Sequence, residues 1–251
     1  QSDLQQFYHH LKQGGRLRRV EQYSPGLSDR MVKSCHVTCR MALDKAVADG
    51  LILKNPAANC KVPATHPREM SVLTGEEIQR LLIQAKEDGC YELLLLELST
   101  GLRRGEILAL QWDDLDFQTG ALRVERQVQR IKGELVVSQP KTRTSSRSVI
   151  LARPILNVLE RYRKSCTSRW MFPSQRKVDS PLDPAGVRKK VAAVLKRAGC
   201  KHLRFHDLRH TFATNALEHG MDIKTLSAII GHVSSATTLY VYAHVADEMR
   251  P

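Results

Sequence analysis

Apolar residues recur at helical spacing over most of the chain. Leu4, Phe7, Tyr8 and Leu11 form one face over 3–12, closed by Gly14-Gly15. Ser28 stands where an N-cap belongs, opening a second helix that runs to Ala48 and is stopped by Gly50 and Asn55-Pro56. Thr74-Gly-Glu-Glu77 has capping-box spacing ahead of Ile78, Leu81 and Leu82. Helices follow over 91–98, broken at Thr100-Gly101, and over 104–112. Then the period changes: 121–127, 135–138 and 146–151 read as three short strands, joined at Lys132-Gly133 and by the polar loop 140–145. Helical spacing returns over 154–163, over 184–198 with Asp183 as N-cap and Pro184 at the first helical position, and over 206–218, 222–230 and 235–242. Between Lys61 and Ser71 there is little periodicity around Pro63 and Pro67, which predicts a linker. The pattern therefore predicts a mainly α fold with a small antiparallel β-sheet (α+β). Its parts are a small helical domain over 1–60, a linker over 61–71 and a larger domain over 72–251.

Composition narrows the class. With 42% apolar and 26% charged residues in 251, the chain reads as soluble and globular. The apolar run Leu93 to Leu96 is closed by Glu92 and Glu97, so no membrane span is predicted and a cytoplasmic location is expected. The chain opens at Gln1 with no initiator Met and no apolar leader, and reads as a fragment without its upstream part. Charge is the strongest bulk signal: 39 Lys and Arg against 26 Asp and Glu leave +13. The excess is spread along the chain, with 10 basic against 5 acidic residues through position 62, and it favours a nucleic-acid partner.

Two groups invite a metal reading and fail it. Cys35 and Cys39 flank His36, but they fit a helix face with Val32, Ala42 and Ala46, and no second Cys/His pair follows at zinc-finger spacing. The six cysteines are expected to be buried thiols. Asp113, Asp114 and Asp116 have no partner carboxylates at nuclease spacing and predict a solvated turn. Neither metal nor cofactor is expected.

The candidate chemistry lies in the second half. His206 and Arg209 stand at i, i+3 on one helix face, pairing a permanent cation with a group that exchanges protons near neutrality. Arg103 and Arg104 open a helix after Thr100-Gly101, where backbone N–H groups also point at anions. Gly231-His232 follows the 222–230 helix, Tyr242 comes ten positions later, and Lys141 lies in the strand-to-strand loop.

The run His206-Asp-Leu-Arg-His-Thr-Phe-Ala-Thr, then Ile-Ile-Gly-His232, then Thr-Thr-Leu-Tyr-Val-Tyr242-Ala-His-Val, resembles the tyrosine recombinases, also called the phage-integrase family. Thr-Gly-Leu-Arg103-Arg-Gly-Glu106-Ile-Leu-Ala-Leu resembles that family's first arginine motif. The resemblance covers 72–246 and is greatest to integrases of temperate phages and Gram-positive conjugative transposons. It implies a site-specific DNA recombinase working through a 3′-phosphotyrosyl intermediate, in integration or excision of a mobile element. Tyr242 would be the nucleophile, with Arg103 and Arg209 clamping the non-bridging oxygens. Lys141 would be general acid to the departing 5′ oxygen, His206 would assist proton movement, His232 would contact the scissile phosphate, and Glu106 would brace the arginine region.

Tyr240 is the decoy for Tyr242 and Arg104 for Arg103, and the motif alignment selects Tyr242 and Arg103; Lys132, Arg143 and Arg147 stand near Lys141, which is the preferred cation of that region. His210 and His244 are expected to be structural. The resemblance further implies that a core-DNA-binding domain (1–60) and a catalytic domain close around double-stranded DNA. Lys33, Arg40, Arg143, Arg147 and Arg188 are candidate phosphate contacts. The expected assembly is a homo-tetramer on two sites, a dimer per site, with excisionase or DNA-bending accessory proteins as possible partners. Rival readings are a catalytically inactive DNA-binding protein on the same fold, a type IB topoisomerase-like relaxing enzyme and, less supported, a metal nuclease.

Overall fold

The computed structural model describes residues 2–64, 70–139, 146–231, 236–239 and 241–242. The chain forms two compact units, Gln1–Glu69 and Met70–Pro251. In the first, α1 (Ser2–Gly14) packs on α2 (Asp29–Ala48). The Ser28 hydroxyl accepts from the Met31 N–H and starts α2, as its position predicted. Tyr8, Leu11 and Val32 make a small core, and the Tyr8 hydroxyl lies 3.2 Å from His36 Nδ1. Burial pushes the Tyr8 phenol up to about 12. The six cysteines are thiols, but only Cys90 is buried; the other five are half-buried. The expectation of a buried set is corrected accordingly: Cys35 and Cys60 pack at the margin of the α1–α2 core rather than at its centre, and Cys39 is half-buried.

The second unit opens with the capping box, in which Thr74 and Glu77 each accept the other's backbone N–H, launching α3 (Gly75–Glu87). Next come α4 (Tyr91–Thr100) and α5 (Arg104–Ile107). The 104–112 helix is corrected to this single turn. Ile107, Leu108, Ala109 and Leu110 are all buried, so the segment is not amphipathic. Beyond it Gln111 bridges to Trp170, and the Trp112 N–H donates to the Arg169 carbonyl.

Four strands are described rather than three: β1 (Ala121–Val124), β2 (Gln127–Ile131), β3 (Glu134–Ser138) and β4 (Arg147–Ile150). They form two antiparallel pairs, β1 with β4 and β2 with β3. The 121–127 segment divides at Glu125-Arg126, where the Arg126 guanidinium pairs with the Asp114 carboxylate. Asp114 is therefore buried instead of solvated, accepting also from the Gln111 N–H. Lys132 and Gly133 both take positive φ (48° and 90°), as a tight hairpin of two residues requires.

Three further helices wrap the core: α6 (Arg153–Lys164), α7 (Pro184–Arg197) and α8 (Phe205–Glu218). Leu94, Leu96, Leu102, Leu122, Leu159, Val194 and Leu208 are at or near zero exposure in one continuous cluster. A second cluster joins Ala213 and Leu217 of α8 to Leu226 and Ile230 of α9 (Ile223–Ile230), and Tyr242 belongs to it. Among the described residues no helix is long and apolar enough to cross a membrane, and no three His, Cys, Asp or Glu side chains are grouped to hold a metal ion.

Candidate active site

Gly101 ends α4 in the left-handed region (φ 57°), and a Cβ there would lie 2.5 Å from Phe212 Cδ1. That close approach brings α4 against α8. Arg103 then enters α5 from an extended conformation, its backbone N–H donating to Glu106 Oε2 at 2.9 Å. Its guanidinium reaches two ways: Nη1 to Glu106 Oε1 and Nη2 to the Gly231 carbonyl, both at 2.7 Å. The side chain remains 40% exposed, so it keeps a face for a ligand.

Arg209 comes from α8 and is buried, donating from Nη1 to the Gly101 carbonyl at 2.8 Å. Burial pulls it down to about 10, with the Arg103 cation adding to the effect and Glu106 and Tyr242 opposing it. The same interactions place Arg103, Glu106, Arg147, Arg209 and Tyr242 in one electrostatic neighbourhood. Glu97, which reads in sequence as the charge closing an apolar run, is fully buried in α4 with no hydrogen-bond partner among the described residues. Burial holds its carboxyl well above the usual range, against the pull of Arg209.

Arg147 requires a correction. Expected among the phosphate contacts, it is only 7% exposed at its side chain and pairs with Glu106 through Nη2–Oε2 at 2.8 Å and Nη1–Oε1 at 3.2 Å. Its Nε donates to the Ile229 carbonyl at 2.6 Å. Glu106 thus sits between two guanidiniums. Despite burial, hydrogen bonds from Arg147, then its charge, then Arg103 hold the carboxylate below its ordinary value. Arg103 and Arg147 together grip carbonyls at the end of α9, the segment leading into His232.

His206 lies at the surface, held below its ordinary value first by the protein packed behind it and then by Arg209. One turn on, His210 meets it edge-on, ring centres 5.0 Å apart at 81°. Tyr242 is 1% exposed, and its hydroxyl lies 2.8 Å from His210 Nδ1. Burial pushes the phenol up to about 12, against the charge of Arg209. Burial likewise takes His210 down to about 4, helped by His206.

Of the expected residues, the structure brings together Arg103, Glu106, His206, Arg209 and Tyr242. Lys141, His232, Arg143 and Tyr240 lie outside the described residues. Lys33, Arg40 and Arg188 are exposed; Arg40 is 3.9 Å from Asp44. His210, expected to bond backbone or pack, instead bonds the tyrosine hydroxyl. Its spacing of four from His206 on one helix was the available signal.

Residues 71–249 match the phage integrase family. A tyrosine recombinase XerC-like protein of Caldanaerobacter subterraneus is 28% identical, covering 91% of this chain and 66% of its own length. The ICEBs1 integrase of Bacillus subtilis is 29% identical, covering 97% of this chain and 68% of its own. The chain thus spans about two thirds of the length of these relatives. In fold it is similar to the Tn1549 transposon integrase, solved with a circular intermediate DNA: the TM-score is 0.80 at 23% identity, over 97% of this chain and 80% of that one. With the arginines of two separate motifs, the α8 histidine and the late tyrosine all in one matched segment, the chain belongs to the phage integrase family.

Proposed function

We propose that this chain is a site-specific DNA recombinase that cuts and reseals strands through a 3′-phosphotyrosine on Tyr242, in integration or excision of a mobile element. One observation carries the reading: the Tyr242 phenol lies inside the electrostatic reach of the buried Arg209, beside Arg103 and His206. A phosphodiester under in-line attack gathers negative charge, and two fixed guanidinium forks stabilise it. Lys141 protonates the departing 5′ oxygen, His206 assists proton movement, His232 contacts the phosphate and Glu106 braces Arg103. The ester energy is kept in the phosphotyrosine, so rejoining draws on no nucleotide.

The phenol pushed up to about 12 makes a preformed phenolate cost about 7 kcal/mol at neutral pH. The proton must therefore leave as the oxygen–phosphorus bond forms.

The 1–60 domain binds core DNA and 72–251 is catalytic, with 61–71 as linker. Lys33, Arg40, Arg143 and Arg188 meet phosphates, so affinity falls steeply with salt. Exchange between two duplexes needs four cuts with one tyrosine each, which supports a tetramer on two sites. DNA-bending or excisionase proteins would supply direction. Relatives from bacteria support action on DNA in a bacterial cytoplasm.

Incubation with nicked suicide DNA in EDTA tests the reading. The protein should form a covalent adduct at the 3′ phosphate. Tyr242→Phe should bind DNA without trapping it, and Tyr240→Phe should still trap. Trapping that survives the first change and is lost with the second overturns the nucleophile assignment; no adduct at all favours a DNA-binding protein without activity. Relaxation of supercoils without strand exchange favours the topoisomerase-like alternative.

A further inference from the structure

Tyr242 is buried in one cluster with Ala213, Leu217, Leu226 and Ile230, and among the described residues its hydroxyl has one hydrogen-bond partner, His210 Nδ1 at 2.8 Å. The two rings are tilted at 57° with centres 5.7 Å apart, so the contact is made at the ring edge where the imidazole lone pair lies. The charged and titratable groups around His210 among the described residues are His206, Asp207, Arg209 and Arg204, all on or beside the start of α8, and Tyr242 opposite.

We propose that His210 is a further catalytic residue, whose Nδ1 takes the Tyr242 proton as the phenolic oxygen bonds to phosphorus. The inference rests on Tyr242 being the nucleophile. The Oη–H bond breaks as Nδ1–H forms, and the Oη–P bond forms as the P–O5′ bond breaks. The departing oxygen receives its proton from a different acid. On resealing, the incoming 5′ hydroxyl loses its proton to that acid's conjugate base, and His210 returns its own to Oη.

A weak base suits this position. With the site empty, burial and the neighbouring cations keep the imidazole neutral, so Nδ1 is open to the phenolic proton throughout the neutral range. A bound phosphodiester sets negative charge among those cations and so favours the imidazolium. The phenolic proton itself becomes acidic as the oxygen bonds to phosphorus. Basicity is thus raised by the substrate, and the phenol stays protonated until a phosphate is present.

Single-turnover adduct formation on nicked DNA, followed from about pH 5 to about pH 9, tests the inference. His210→Asn keeps a hydrogen-bond acceptor near the Nδ1 position but cannot take a proton. It should slow adduct formation roughly 100-fold or more at neutral pH. Its rate should keep climbing with pH where the parent levels off. A DNA whose 5′ bridging oxygen is replaced by sulfur needs no acid for departure, so it should not restore this variant. A rate within about threefold of the parent, or restoration by the sulfur DNA, overturns the proposal. An adduct formed by Tyr242→Phe would instead remove the nucleophile reading, whatever His210→Asn does. Should His210→Asn lose its cooperative melt, the parent protein on the sulfur DNA decides. A rate that falls toward acid supports a base on the tyrosine side, and a flat profile overturns it.

Discussion

Arg147 and Glu106 face each other inside the second unit, both less than a tenth exposed, joined by two nitrogen–oxygen contacts at 2.8 and 3.2 Å. Removing the guanidinium leaves a buried carboxylate with Arg103 as its remaining ion-pair partner among the described residues, and a buried charge that loses a partner is costly. Arg147→Ala should lower unfolding stability by about 3 kcal/mol. Adding Glu106→Gln to it should recover part of that loss, because the stranded charge is gone. Urea unfolding of the four proteins in the cycle measures this. Simple additivity of the two changes would mean the pair is not coupled.

Gly231 sits where that pair touches α9. Its φ is 65°, and a Cβ would lie 2.8 Å from Arg147 Nη1. Gly199 has nearly the same φ, 62°, with nothing within 4 Å of a Cβ. Gly199→Ala therefore tests the backbone term alone, about 1 kcal/mol. Gly231→Ala must also move a buried, hydrogen-bonded arginine and should cost about 3 kcal/mol. Equal losses in chemical denaturation would show that Arg147 moves aside freely.

These residues mark the border between what was legible in the sequence and what was not. Local signals carried through: the Thr74–Glu77 box, Ser28, Asp183 and the Lys132-Gly133 turn each act within four residues, and the structure uses each as its chemistry suggests. The 104–112 helix failed because four successive buried residues carry no period, and pairing with distant Trp170 decided their backbone. Arg147 was misplaced although β4 held the clue: it shares the inward face with Val149, two residues on. Which partner met it inside could not be read, since Glu106 lies 41 positions away. Glu97 was opaque for a similar reason, its burial being set by packing against α8. The roles given to Lys141 and His232 rest on motif order alone.

Glu97 folds into a place that favours its neutral form, so the folded state holds a proton that the unfolded chain has released above about pH 4.5. The stability this group contributes is full below that value and is lost as pH rises. Glu97→Gln keeps the shape and removes the titration. Its stability relative to the parent should rise as the pH rises above about 4.5. Urea midpoints at several pH values give the slope, and a difference independent of pH would show that Glu97 is charged in the fold.

Histidine linkage runs in the opposite direction. His206 and His210 are both held below their ordinary 6.5, His210 down to about 4, so the unfolded chain takes up protons that the fold refuses. Stability from these groups is complete above about pH 6.5 and is lost as pH falls toward 4. The carboxylates held low, Glu77, Glu106, Asp116, Asp183, Asp207 and Asp222, add little slope until the pH nears their unfolded values of 4.5 for Glu and 3.8 for Asp. Between about pH 6.5 and about pH 4.5 the loss therefore belongs to the imidazoles, partly offset by Glu97, and His206 contributes less because solvent screens it. The parent protein should lose stability on acidification through this window, and Glu97→Gln should lose it more steeply because the offset is gone. Tyr242 fluorescence is not separable from that of the other tyrosines, so hydrogen exchange of the α8 amides is the better local probe. Their protection should fall with pH in the same window; protection that holds unchanged down to about pH 4.5 would mean that the imidazoles carry no such linkage.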